Sequence, residues 1–218
     1  YGTYVYSEKN YVSDNWCYGG FTTGMVGCGL ISGNSNGRNR DYIWEKNLLE
    51  SSATTNESMS LSGLGITARN NIFRMTSGSA IGTSRLEFSP SPDNLWIYNN
   101  SIYSAETSAG VFSVIANQPG DMSASSLYIK NNIFYGPNTD TGSNLIINLV
   151  GATVYEGGNS TNAQRVVSPN FTTTPPTTAA HFKPTTGSYA IALGVSVPVW
   201  QDFNGVALSG TRDSGAIK

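Results

Sequence analysis

Charge is scarce in this chain. Asp, Glu, Lys and Arg make up only 12% of its 218 residues, and the net charge is −2. No basic stripe is available to hold nucleic acid, since the Arg38/Arg40 pair stands alone. His181 is the single histidine, which excludes a His-based metal site or a His–His dyad. It sits beside Phe182 in a Pro- and Thr-rich stretch and reads as a packed or surface residue. Only Cys17 and Cys28 carry thiols, with no neighbouring histidine, so no metal set is identified. Their spacing fits either a local disulfide in a secreted protein or two buried thiols. Long runs of Ala, Glu, Lys, Leu and Arg are missing, which argues against helices. No apolar run reaches the ~18 residues of a membrane span. No initiator Met or leader precedes Tyr1, so the expectation is a processed chain or the C-terminal portion of a longer one.

What the chain does have is a recurring phrase. It reads YVYSEKN at Tyr4–Asn10, YIWEKN at Tyr42–Asn47 and ITARNNIF at Ile66–Phe73. It returns as LWIYNNSI at Leu95–Ile102, LYIKNNIF at Leu127–Phe134 and, worn, as VYEGGN ending at Asn159. The last Asn of each falls at 10, 47, 71, 100, 132 and 159, in steps of 37, 24, 29, 32 and 27 residues. An irregular period in this range with a fixed local signature implies stacked units. Within each phrase Leu95, Ile97 and Asn99 alternate with Trp96 and Tyr98, which is the strand period. The chain then turns at Asn, the non-Gly residue that best tolerates the left-handed conformation. Stacking the units sets Asn10, Asn47, Asn71, Asn100 and Asn132 above one another, where their amides form a hydrogen-bonded ladder.

The predicted fold is therefore all-β: a right-handed parallel β-helix with an irregular C-terminal wrapping segment. Coils span 1–162, with 14–40 a Gly-rich insertion holding one short strand near Met25–Ile31. Second strands are expected in Ser79–Phe88, Gly110–Ala116 and Asn144–Val150. Residues 163–218, rich in Pro and Thr, form a capping and wrapping segment of the same domain.

These phrases resemble the repeats of right-handed parallel β-helix proteins of the pectate-lyase-like superfamily. The tail resembles the closing segment of secreted bacterial members: GSYAIALG at Gly187–Gly194, then Asp202-Phe203-Asn204-Gly205, then Arg212-Asp213-Ser214-Gly215-Ala216. It departs from them in ending Ile217-Lys218. The resemblance implies a secreted or cell-surface protein that faces carbohydrate. It also implies the lyase chemistry of this fold: a Lys or Arg base, a second basic residue and often Ca²⁺ held by carboxylates. The catalytic coils of that group normally lie upstream of this closing region.

The outward column Glu8, Glu45, Arg69, Tyr98, Lys130 mixes signs at the depth of a sugar groove. Glu45, Arg69 and Lys130 are the candidates there for acid–base work, with Lys46 beside them. The plainer reading is a solvated face with salt bridges between coils, each worth about 0–1 kcal/mol when exposed. Arg38, Arg40 and Asp41 read as a polar loop, and Arg85 with Glu87 as a same-face ion pair. Asp202, Arg212 and Asp213 read as structural. Trp96, Tyr98 and Tyr128, with Tyr6, fall on the outward face, where flat aromatic platforms suit sugar rings unless loops or the tail cover them. The expected function is an extracellular β-helix with a structural or glycan-binding role. The alternative is part of a secreted polysaccharide lyase or glycoside hydrolase acting on an acidic polysaccharide. Expected partners are a polysaccharide or cell-surface glycan, and an upstream segment or another chain at the open N-terminal coil.

Overall fold

The computed structural model describes residues 11–19, 26–32, 41–51, 57–61, 65–75, 86–88, 94–105, 115–117, 126–136, 146–147, 153–161, 163–164, 166–209 and 213–218. Sixteen strands lie among them, numbered in chain order, with one short 3₁₀ turn at Ala179–Phe182. The first sheet holds β1 (Tyr11–Ser13), β4 (Ile43–Glu45), β7 (Ile66–Arg69), β10 (Asn94–Tyr98), β13 (Ser126–Lys130) and β16 (Thr153–Gly157). The second holds β2 (Trp16–Gly19), β5 (Leu48–Ser51), β8 (Ile72–Met75), β11 (Ser101–Ser104) and β14 (Ile133–Tyr135). The third holds β3 (Val26–Ser32), β6 (Glu57–Leu61), β9 (Leu86–Phe88), β12 (Ile115–Asn117) and β15 (Ile146–Ile147). Every named pairing is parallel, and each sheet takes every third strand. The chain is thus all-β with parallel sheets, as in a parallel β-solenoid.

The corner between the first and second sheets explains the signature phrase. Two adjacent residues divide the labour. The first has positive φ at Asp14, Lys46, Asn70, Asn99, Asn131 and Gly158 and turns the chain. The second points its amide along the stack. The ladder Asn is therefore not the residue that turns. At Asn47, Asn71, Asn100 and Asn132 the Nδ2 donates both to the Oδ1 of the next coil and to a carbonyl of the previous one. Asn100 Nδ2 lies 3.0 Å from Asn132 Oδ1 and 3.0 Å from Ala68 O. The Oδ1 of each of these four in turn accepts twice. Asn100 Oδ1 receives Asn71 N–H at 2.9 Å and Asn71 Nδ2 at 3.1 Å. Asn47, Asn71 and Asn132 repeat the pattern. The four central amides are fully buried, so complete pairing is what makes their burial tolerable.

The first rung among the described residues is Asn15, which the sequence reading did not name. Asn15 bonds Asn47 Oδ1, through its backbone N–H at 3.2 Å and Nδ2 at 2.9 Å. Asn10 lies outside the described residues. Segment 14–40, read as an insertion, supplies β2 and β3, which pair with β5 and β6 in the regular arrangement. With Asn15 the steps become 32, 24, 29, 32 and 27 residues, which removes the outlying 37. Cys17 stands in β2 and Cys28 in β3; their side chains lie outside the described residues.

The core lies between the first two sheets. Trp44, Ala68, Ile97 and Ile129 form one inward column in register, with the large indole beside the small methyl. Leu49, Phe73, Ile102 and Phe134 form the facing column. Each fully buried apolar side chain contributes about 1.5–3 kcal/mol.

The C-terminal segment runs along the outside of these sheets as a lateral strap. Phe171, Phe182, Ala190, Ala216 and Ile217 pack on Ile72, Tyr103 and Ile133 of the second sheet. Val197 and Val199 pack on Tyr98 of the first. Asn131 Oδ1 accepts Val195 N–H at 2.7 Å, while its Nδ2 donates to Val195 O at 2.8 Å. Gly215 N–H donates to Asn131 O at 2.7 Å and Ala216 N–H to Ser101 Oγ at 2.9 Å. Gly215 has positive φ, and a Cβ there would meet Ile133 Cδ1 at 2.5 Å, so only glycine lets the strap lie this close. Asp202 Oδ1 accepts Val206 N–H at 2.8 Å and its Oδ2 accepts Lys218 N–H at 3.1 Å. Asp213 Oδ1 accepts Ala192 N–H at 3.0 Å. Both carboxylates are structural; Arg212 lies outside the described residues.

The two residues of one phrase should respond differently to glycine. Asn100→Gly leaves four buried hydrogen-bonding positions unfilled and is expected to cost about 3–5 kcal/mol. Asn99→Gly keeps the left-handed turn and should stay within about 1 kcal/mol of the parent. Chemical denaturation of both variants checks this, and equal losses would break the assignment.

Candidate functional site

The outward column of the first sheet runs Ser13, Glu45, Arg69, Tyr98, Lys130, Gly157 in register. Arg69 Nε donates to Glu45 Oε2, and Tyr11 Oη donates to Glu45 Oε1. The same trio recurs five residues on. Arg74 Nη1 donates to Glu50 Oε1, and Trp16 Nε1 donates to Glu50 Oε2 at 2.8 Å. Each carboxylate thus joins an aromatic donor on the coil below to an arginine on the coil above. Both arginines also hold the strap: Arg69 Nη1 reaches Pro198 O at 3.2 Å and Arg74 Nε reaches Pro176 O at 3.1 Å. The pairs are not solvated face charges, since Glu45 and Glu50 are both buried. Burial and the neighbouring Glu45 carboxylate raise the Tyr11 phenol above its ordinary pKa. That makes it a poor base near neutral pH.

Beside the first trio the strap leaves a shallow cavity of ≈ 90 Å³ lined by Glu45, Arg69, Asn70, Val199, Trp200 and Gln201. Trp200 is 71% exposed, with the Arg69 guanidinium carbon 6.0 Å from its ring centroid, a cation–π distance. Asn70 spends its Nδ2 on Gln201 O at 2.7 Å. Its buried Oδ1 has no hydrogen-bond partner among the described residues. Lys46 Nζ donates to Gln201 Oε1 at 3.3 Å on the same flank. The cavity thus offers a flat apolar ring beside cationic donors. At this volume it seats one edge of a ligand rather than enclosing it.

The structure brings Glu45 and Arg69 together but separates them from Lys130, because the buried Tyr98 stands between Arg69 and Lys130 in the column. The aromatic platform expected of Trp96, Tyr98 and Tyr128 is not open. Tyr98 is 5% exposed beneath Val197 and Val199, and Trp96 and Tyr128 are half-buried against the same cluster with Leu208. The covering residues lie about a hundred positions downstream. Trp96 and Tyr128 do stack, at 5.9 Å and 14°, and Tyr155 continues the stack at 4.8 Å and 10° with its outer face exposed. Trp200, Asn70 and Tyr11 were not singled out from sequence. Trp200 stands apart from the repeats, and its neighbour Arg69 was the one available signal. Among the described residues no three His, Cys, Asp or Glu side chains gather as a metal set. None of their helices is long and apolar enough to cross a membrane.

A family model described as "Disaggregatase related" matches residues 92–191, slightly under half of the chain. The match runs from β10 through β16 into the strap. It is a family of β-helix type, in keeping with the parallel strands. No curated protein and no solved structure matched the chain.

The strap's hold on the first sheet should be readable by alkaline titration. Burial pushes the Tyr98 phenol up to about 12, with Tyr128 adding to the effect. Burial likewise raises Tyr189 to about 12, against a hydrogen bond with Ser160 that lowers it. Both folded values exceed the unfolded value of 10.0, so the folded state holds these protons more tightly. The associated stability is intact below pH ~10 and lost as pH rises through about 12. Phenolate absorbance should show Tyr98 and Tyr189 among the tyrosines that ionise late, together with unfolding. Ordinary titration of every tyrosine would contradict the packing.

Proposed function

We propose that this chain is an extracellular right-handed β-helix, its sheets closed around the core, that binds polysaccharide on the flank where the strap meets the first sheet. The right-handed winding is the general preference of parallel crossovers, and the every-third-strand order supports closure. The observation that carries the binding reading is the cavity of Glu45, Arg69, Asn70, Trp200 and Gln201. A pyranose ring laid on exposed Trp200 would present oxygens to Arg69 and Lys46. Tyr11, more than half exposed, extends the surface along the same trio. The likeness to disaggregatase-related proteins supports a role at aggregated material, and the resemblance to pectate-lyase-like proteins supports a carbohydrate partner.

The alternative is part of a lyase or hydrolase acting on an acidic polysaccharide, with the calcium such enzymes often use. Glu45 is a weak candidate for its acid or base, because Tyr11 and Arg69 occupy both of its oxygens. The binding reading is therefore preferred.

The test is retention of the full chain on immobilised acidic and neutral polysaccharides, run beside an assay for unsaturated uronate products. Trp200→Ala removes an exposed ring and should weaken retention at least tenfold without loss of fold. Retention unchanged by Trp200→Ala, or absent on every polymer, defeats the assignment. Product release that stops on chelation supports the lyase alternative instead.

A further inference from the structure

The two edges of the first sheet match one another. Its register carries a column through Tyr11, Ile43, Thr67, Trp96, Tyr128 and Tyr155. The rings at both ends are open, Tyr11 at 56% and Tyr155 at 47% exposure. The ladder is polar in the same sense. Every rung from Asn15 to Asn132 gives its backbone N–H and one Nδ2 hydrogen to the next Oδ1. Asn159 uses its Nδ2 on Ile129 O at 2.7 Å and has no further rung among the described residues. Asn15 Oδ1, at the exposed opposite end, receives no rung among them. One edge thus offers two donors where the other offers an acceptor. The backbone agrees: Gly157 O faces Asn131 N–H at 2.9 Å. By parallel-strand alternation the N–H and C=O groups of Val154 and Glu156 therefore face the open side. Those of Tyr11 and Ser13 face outward at the other edge.

We propose that this chain docks on a second copy of itself head to tail, the β16 edge of one against the β1 edge of the other. Asn159 donates to Asn15 of the second copy, and Tyr155 stacks on Tyr11 of the second copy. The contact is heterologous and does not close, so it propagates into rods as concentration rises. One residue opposes it. Glu156 occupies the inward column of Trp44, Ala68, Ile97 and Ile129 and is exposed at its top. Docking sets that carboxylate against Val12 of the second copy and strips its water, the device by which inward charges blunt sheet edges. Glu156 therefore keeps the contact weak and reversible in the native chain.

Sedimentation velocity of the full chain over a concentration series tests this, with circular dichroism confirming that each variant folds. Glu156→Ile should associate at least tenfold more tightly than the native chain, and adding Val12→Glu should reverse the gain. In the native background Val12→Lys, facing Glu156, should associate more tightly than Val12→Glu. Association unchanged by Glu156→Ile, a gain that Val12→Glu leaves intact, or equal behaviour of the two Val12 variants overturns the proposal.

Discussion

A primary amide has two hydrogens to give and two lone pairs to receive them, and a parallel stack is a setting in which one side chain fills all four. Coils lie ~4.8 Å apart, the separation at which Nδ2 of one Asn meets Oδ1 of the next. The interior position removes water as an alternative partner, so the amides either pair completely or the corner fails. Because the strand period is two, a slip of one residue would turn every core side chain outward. The ladder therefore holds register for Trp44 over Ala68 and for Phe73 beside Ile102. It also fixes where the left-handed residue must fall, one position earlier. At Gly158 that position has no side chain, and a Cβ would press on Asn131 Oδ1 at 2.3 Å.

The regular sheets supply flat outward columns, and the strap decides which of their residues meet solvent. It buries Tyr98, shields Trp96 and Tyr128, and brings Trp200 over Arg69. The paired carboxylates are part of the same join. Glu45 and Glu50 orient Arg69 and Arg74, whose remaining donors hold carbonyls of the strap. An arginine suits this because its planar fork can face a carboxylate on one side and a carbonyl on another.

The double-Asn phrases made the parallel stack legible, since a strand alternation broken at one recurring polar pair has few other physical causes. The first coil was harder. Tyr4–Asn10 has the apolar character of a repeat and Tyr11–Asn15 scarcely does, yet the step of 37 residues was the discordant signal. The three-strand coil was half visible, because β5, β8, β11 and β14 follow their Asn directly while the third-sheet strands β9, β12 and β15 are only two or three residues long. The cavity was not legible. It depends on Trp200 and Gln201 returning to Arg69 and Asn70, and no local period records a contact over that separation.

The strap has a consequence for how the molecule comes apart. Stacked arrays in which each unit touches only its neighbours lose their end units first and melt piecemeal. Here one ribbon binds Asn131 through Val195, Asn70 through Gln201 and Lys46 through the Gln201 side chain. It spans coils that do not touch each other. Releasing the strap from any of these coils loosens its hold on the others, which couples coils that a one-dimensional stack would leave independent.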